Sequence, residues 1–142
     1  MSLNVLVVDD SAVMRSMVIK TLRLSGIPLN EMHQASNGRE ALSVLDQHWI
    51  DLALVDLNMP VMSGEELIDH VRSNPATERL PIIVVSTEGS QTRVEKLRRK
   101  GAEFVHKPFT PEILRQIVIQ MTGVTCGNQP GDGAVSGSGT DF

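Results

Sequence analysis

Four apolar runs in this chain end in residues able to carry charge or donate a hydrogen bond. Asp9-Asp10 follow Val5-Leu6-Val7-Val8, and Asp56 follows Leu52-Ala53-Leu54-Val55. Ser86-Thr87 follow Ile82-Ile83-Val84-Val85, and His106-Lys107-Pro108 follow the weaker run Ala102 to Val105. If the runs are parallel strands of one sheet, these ends meet at a single mouth. Two unit charges ~4 Å apart repel by roughly 4 kcal/mol at a surface-like dielectric. Lys107 alone cannot cancel the charges of Asp9, Asp10 and Asp56, whereas a divalent cation can. A crowded all-oxygen site with few protein ligands suits Mg²⁺, which keeps several of its waters.

That charge arrangement specifies a chemistry. A carboxylate attacking phosphorus must overcome the repulsion of the phosphoryl oxygens, and phosphoryl transfer consists mostly of positioning and neutralising those oxygens. Asp56 is the candidate nucleophile and would form an acyl phosphate. Mg²⁺ on Asp9, Asp10 and Asp56, the ammonium of Lys107 and the hydroxyl of Ser86 are the candidate neutralising groups. Taken singly, each has a plainer explanation. Asp9-Asp10 suits the positive end of a following helix, and Asp56 suits a turn before Asn58 and Pro60. Ser86 and Lys107 could simply end strands. The functional case rests on their conjunction at the ends of four runs.

The elements that must position these residues are legible in the pattern. The three continuous runs, short and rich in β-branched residues, suit strands buried on both faces of a parallel sheet. Met32 to Ala35 and Ala102 to Val105 read as strands nearer the edges. Between them lie helical stripes. Ser11 is a candidate N-cap before Met14, Met17, Val18, Thr21 and Leu22, with Gly26 as the stop. Asn37 caps a second helix that turns Ala41, Leu42 and Leu45 inward. Ser63 and Glu66 form a capping box for a third, with Leu67, Ile68 and Val71 as its core face. A fourth runs from about Ser90 to Lys100 over Val94 and Leu97, and Thr110-Pro111 opens a fifth on Leu114, Ile117, Val118 and Met121. The methionines read as gap-filling core. Five βα units in succession require right-handed crossovers, with helices on both sheet faces, and place ligands outside the carboxyl ends of the strands.

The chain has 142 residues, 41% of them hydrophobic, with a net charge of −4. One domain with an ordinary core fits this size, and a general nucleic-acid-binding surface does not fit the charge. No apolar run has the length of a membrane span and no secretory leader opens the chain. The single Cys126 cannot form an internal disulfide and suits a reducing cytoplasm. Residues 123–142 turn Gly-rich and read as a flexible tail or the start of a linker after a domain spanning 1–122. His33, His48, His70 and His106 are scattered without zinc-ligand spacing. Walker and dinucleotide glycine patterns are absent, as is a nucleophilic serine elbow.

The set Asp9-Asp10, Asp56-Leu57-Asn58-Met59-Pro60, Gly64, Ser86 and Lys107-Pro108-Phe109 resembles the receiver domains of two-component response regulators, most of all the single-domain chemotaxis type. The resemblance spans about Asn4 to Met121. It implies a flavodoxin-like (βα)₅ sandwich of the α/β class, with strand order 2-1-3-4-5. It implies Mg²⁺-dependent transfer of a phosphoryl group to Asp56 from a histidine kinase or histidine phosphotransfer protein. Such a protein catalyses only its own phosphorylation and dephosphorylation and is not a turnover enzyme. The resemblance also implies that the main-chain carbonyl of Asn58 completes the metal site and that the Lys107–Pro108 bond is cis. Ser86 and Phe104 become a switch in which Ser86 moves toward the phosphoryl group and Phe104 turns inward. Asn58, Thr87 and Glu88 become residues that tune loss of the phosphoryl group, Thr87 by narrowing the path of the attacking water. The helix 4, strand 5 and helix 5 face is the implied surface for a downstream protein. No membrane or direct nucleic-acid contact is expected.

The sequence departs from the family at Phe104, where many members carry Tyr, and at Thr87, where smaller residues are common. Arg93, Lys96, Arg98, Arg99 and Lys100 against Glu95 read first as a solvated helix face. As a recognition surface they would favour an acidic partner segment. Two competing functions remain at this level. The chain can be the receiver portion of a longer regulator. A turnover phosphatase or phosphotransferase built on Asp56 would instead want a carboxylate at the position held by Asn58.

Overall fold

In a computed structural model of the chain, which describes residues 2–87 and 89–124, the elements alternate strictly. They are β1 (Leu3–Val8), α1 (Ala12–Leu24), β2 (Leu29–Ala35), α2 (Gly38–Gln47), β3 (Leu52–Val55), α3 (Gly64–Ser73), β4 (Ile82–Ser86), α4 (Gln91–Arg99), β5 (Ala102–His106) and α5 (Pro111–Thr122). All strand pairings are parallel, in the order β2-β1-β3-β4-β5.

Side chains of a strand alternate between faces, and β1 shows the consequence. Leu6 and Val8 pack with Ala41 of α2, Leu67, Ile68 and Val71 of α3 and Leu97 of α4. Val5 and Val7 pack with Val18 and Leu22 of α1 and Leu114 and Val118 of α5. The sheet is therefore buried on both faces, which is why β1, β3 and β4 read as unbroken apolar runs.

The helices begin where the caps require. Ser11, Asn37, Ser63, Ser90 and Thr110 each accept a hydrogen bond from a backbone N–H in the first turn of the helix that follows, and Ser63 with Glu66 completes a reciprocal capping box. Three expectations need correction. The second strand begins at Leu29, earlier than Met32, because Leu29 pairs with Leu3 across an irregular register. Its added residues Asn30 and Glu31 are polar and exposed, as an edge strand allows, so they carry no apolar signal. Met17 is 56% exposed rather than core, because α1 turns only Val18 and Leu22 fully inward. Val94 of α4 is only half-buried, and Leu97 is that helix's single fully buried residue. At the other end of the domain, Gly123 ends α5 with φ 74° and Val124 is buried in the α1–α5 core. Packing on that side of the sheet thus includes Val124. Of the Gly-rich segment, 125–142 lies outside the described residues, and so does Glu88.

Candidate functional site

The parallel register brings the strand ends together through the backbone itself. The Asp56 N–H donates to Val8 O at 2.9 Å, joining the end of β3 to that of β1. The Lys107 N–H donates to Ser86 O at 2.9 Å, joining the end of β5 to that of β4. The peptide bond after Lys107 is cis, as expected.

Asp9 is only 4% exposed. Its Oδ1 accepts the Ser11 N–H at 2.9 Å, and its carbonyl accepts Arg15 Nη1 at 2.6 Å. The first bond ties the carboxylate to the start of α1, where the helix dipole favours negative charge. Asp10 is exposed, and Asp56 lies half-buried between them in character. One carboxylate oxygen from each of Asp9, Asp10 and Asp56 lies within 4.8 Å of the other two. Lys107 Nζ reaches Asp9 Oδ2 at 3.6 Å, with both side chains largely buried.

The electrostatics follow from this geometry. Burial, and then the charge of Asp9, push the Asp56 pKa above its ordinary value; Asp10 adds to the effect, while Lys107 and the Leu57 N–H oppose it. Asp56 is thus a carboxylate whose ionised form is under-neutralised by the protein alone. The donors are all oxygens, the net charge is negative and part of the site faces water. That set fits a hard divalent cation.

The turn after Asp56 is shaped by Gly64 at the start of α3. Its N–H donates to Leu57 O at 3.0 Å, and a Cβ there would overlap the Asp56 carbonyl oxygen and press on Leu57 Cα. Asn58 is exposed in the same turn. Ser86 is 1% exposed at the end of β4. Thr87 is exposed and lines a cleft with Met14, Met17, Lys107, Pro108 and Phe109. Phe104, paired with Val84 in register, is half-buried against the α2–α4 core, and its ring fills the space that a side chain on Gly89 would take.

Sequence reasoning missed Arg15, Gly89 and one long-range meeting. No local signal marks Arg15 or Gly89, whose partners Asp9 and Phe104 come from other elements. His33 and His48, which spacing leaves unconnected, stack with ring centroids 4.2 Å apart. The basic face of α4 is also less free than it reads. Arg93 pairs with Glu65, Arg98 with Glu103 and Lys100 with Asp69. Among the described residues, that leaves Lys96 and Arg99 as its unpaired cations.

A five-stranded parallel sheet in the order 2-1-3-4-5 with an acidic mouth defines a class, and comparison with known proteins places the chain in it. Residues 5–119 match the response regulator receiver domain, and the chain belongs to that family. It is similar to the chemotaxis protein CheY homolog of Campylobacter jejuni, with 35% identity over 127 residues, covering 88% of this chain and 96% of that protein. The crystal structure of CheY4 from Vibrio cholerae matches with a TM-score of 0.75 and 35% identity, over 85% of this chain and 99% of that one. The receiver domain of the sensor histidine kinase PA1611 from Pseudomonas aeruginosa shares the fold, with a TM-score of 0.75 and 23% identity over 87% of this chain and 99% of that one. That domain was crystallised with a magnesium ion in its active site cleft. The chain is therefore a CheY-like receiver domain of two-component signalling. No helix among the described residues is long and apolar enough to cross a membrane.

Proposed function

We propose that this receiver is a phospho-switch whose acceptor is Asp56. The supporting observation is the convergence of Asp9, Asp10 and Asp56, with Lys107 3.6 Å from Asp9. An Asp56 carboxylate oxygen attacks the phosphorus of a phosphohistidine on a histidine kinase or histidine phosphotransfer protein. The P–N bond breaks, the imidazole leaves with the bonding pair, and an acyl phosphate remains on Asp56. Asp9, Asp10, Asp56 and the main-chain carbonyl of Asn58 would hold Mg²⁺, which supplies neutralisation of the phosphoryl oxygens.

The chain's own groups do the rest. Lys107, already turned into the acidic mouth, exchanges part of its attraction to Asp9 for a phosphoryl oxygen. The Ser86 hydroxyl donates to another, and Phe104 turns inward as Ser86 moves, so the two residues report phosphorylation to the α4-β5-α5 face. That face reads out by contact with a downstream protein, as in chemotaxis, in the cytoplasm and without direct nucleic-acid binding. The chain catalyses the gain and loss of its own phosphoryl group and no other turnover. Thr87, Glu88 and Asn58 tune the loss.

The test is incubation with Mg²⁺ and acetyl phosphate followed by intact mass. A phosphoryl adduct that disappears in Asp56→Asn is the expected result, and an undiminished adduct in that variant overturns the assignment. Thr87→Ala should shorten the half-life of the adduct by opening the approach to water; an unchanged or longer half-life removes Thr87 from the mechanism.

A further inference from the structure

Away from the aspartates, the fold assembles a second group of ligating side chains that phosphotransfer does not use. Glu31 and His33 are two residues apart on the edge strand β2, so they share one face, the one on which Ala35 packs toward α2. The helix α2 runs back along that face, and its C-cap residue His48 arrives over His33, near the middle of β2. The imidazoles of His33 and His48 stack with centroids 4.2 Å apart and planes inclined by 32°. His33 Nε2 lies 2.9 Å from Glu31 Oε1. One ligating atom from each of the three residues lies within 4.8 Å of the others. Among the described residues, only the aspartate mouth and this group bring three such side chains together.

We propose that Glu31, His33 and His48 form a second metal site, which takes a borderline divalent transition ion of the Zn²⁺ class. Two imidazole nitrogens and one carboxylate, with no thiolate, match the donor preference of Zn²⁺ and leave a fourth position for water. Mg²⁺ prefers oxygen donors, so the two sites select different ions by ligand chemistry. Bonds of about 2.0–2.2 Å require the more widely spaced ligating atoms to draw together and Glu31 to ease back from His33 Nε2. Glu31 is exposed, and His48 sits exposed at a helix end, so both can rotate while the strand holds His33. A bound ion staples the end of α2 to the unprotected edge of the sheet. Trp49, the single tryptophan of the chain, directly follows His48 and is 74% exposed. It therefore stands beside the site as a reporter.

Titration with Zn²⁺ by calorimetry, in excess Mg²⁺ to occupy the aspartates, tests this directly. One saturable equivalent is expected, with a rise in melting temperature. His33→Gln and His48→Gln should each weaken binding roughly tenfold or more, and His70→Gln and Cys126→Ser should leave it intact. Cu²⁺, which N/O donor sites bind more tightly than Zn²⁺, should quench Trp49 fluorescence in the parent and much less in His33→Gln and His48→Gln. The proposal is overturned by the absence of saturable heat, by affinity unchanged from the parent in both site variants, or by loss of binding in Cys126→Ser instead. Because the readouts are heat, melting and fluorescence, failure here leaves the phosphorylation of Asp56 untouched, and the reverse also holds.

Discussion

The ring of Phe104 occupies the volume in which a side chain on Gly89 would stand: a Cβ built there overlaps its Cζ and crowds its Cε1. The β4–α4 loop and β5 are thereby coupled through the absence of an atom. Gly89→Ala should cost about 1–3 kcal/mol as the ring is forced aside. In Phe104→Ala the same substitution should cost almost nothing, so a double-mutant cycle by urea unfolding should show strong non-additivity. Additive effects would mean that the two positions do not share this space.

Lys107 is the cation that the described structure brings into the acidic mouth, 3.6 Å from the nearly buried Asp9. Lys107→Ala should slow adduct formation from acetyl phosphate by roughly 10²–10³-fold, the scale seen when one preorganised stabiliser of developing charge is lost. It should also tighten Mg²⁺ binding, because a competing positive charge has gone. Weaker Mg²⁺ binding in this variant would contradict the charge balance described above.

Ionising Asp56 works against folding when no divalent ion is present. Its pKa is raised in the folded protein by burial and by Asp9, so the folded state holds the proton more tightly than the unfolded state does. The resulting contribution to stability is fully present below the unfolded value of about 3.9. It is lost as pH rises through the higher folded value. In metal-free buffer Asp56→Asn should therefore melt a few degrees above the parent at pH 7, and the difference should shrink on acidification. Saturating Mg²⁺ should close the gap at pH 7 by stabilising the parent alone. Thermal melts across pH, with and without Mg²⁺, check both statements.

Val61 carries a positive φ of 71° in the turn that follows Asp56, where the Met62 N–H bonds to Pro60 O at 2.7 Å. A β-branched residue is strained in that region, while Asn and Gly tolerate it. Its side chain is 72% exposed, so little packing is lost on replacement. Val61→Asn should stabilise the domain by about 1 kcal/mol, read as a shift of the urea midpoint at constant slope.

Much of the site was legible in the chain because the relevant physics is local. An apolar run that stops at a charged residue is visible one residue at a time, and so are Ser63 with Glu66 or Thr110 with Pro111. Given parallel strands, the ends of β1, β3, β4 and β5 must gather Asp9-Asp10, Asp56, Ser86 and Lys107 at one mouth. The amino-terminal half of β2 escaped notice because an edge strand need not be apolar, and Met17 misled because a helix stripe does not reveal how deep its margin sits.

Local sequence thus determined the five βα units, their caps and the residues gathered at the strand ends. Tertiary structure alone decided what meets across elements: His48 over His33, the Phe104 ring in the hollow at Gly89, and the pairing of α4's basic residues with Glu65, Asp69 and Glu103. The reason is physical. Capping and alternation act over a few residues, whereas these contacts depend on where packing brings segments far apart in the chain, and no local pattern encodes that distance.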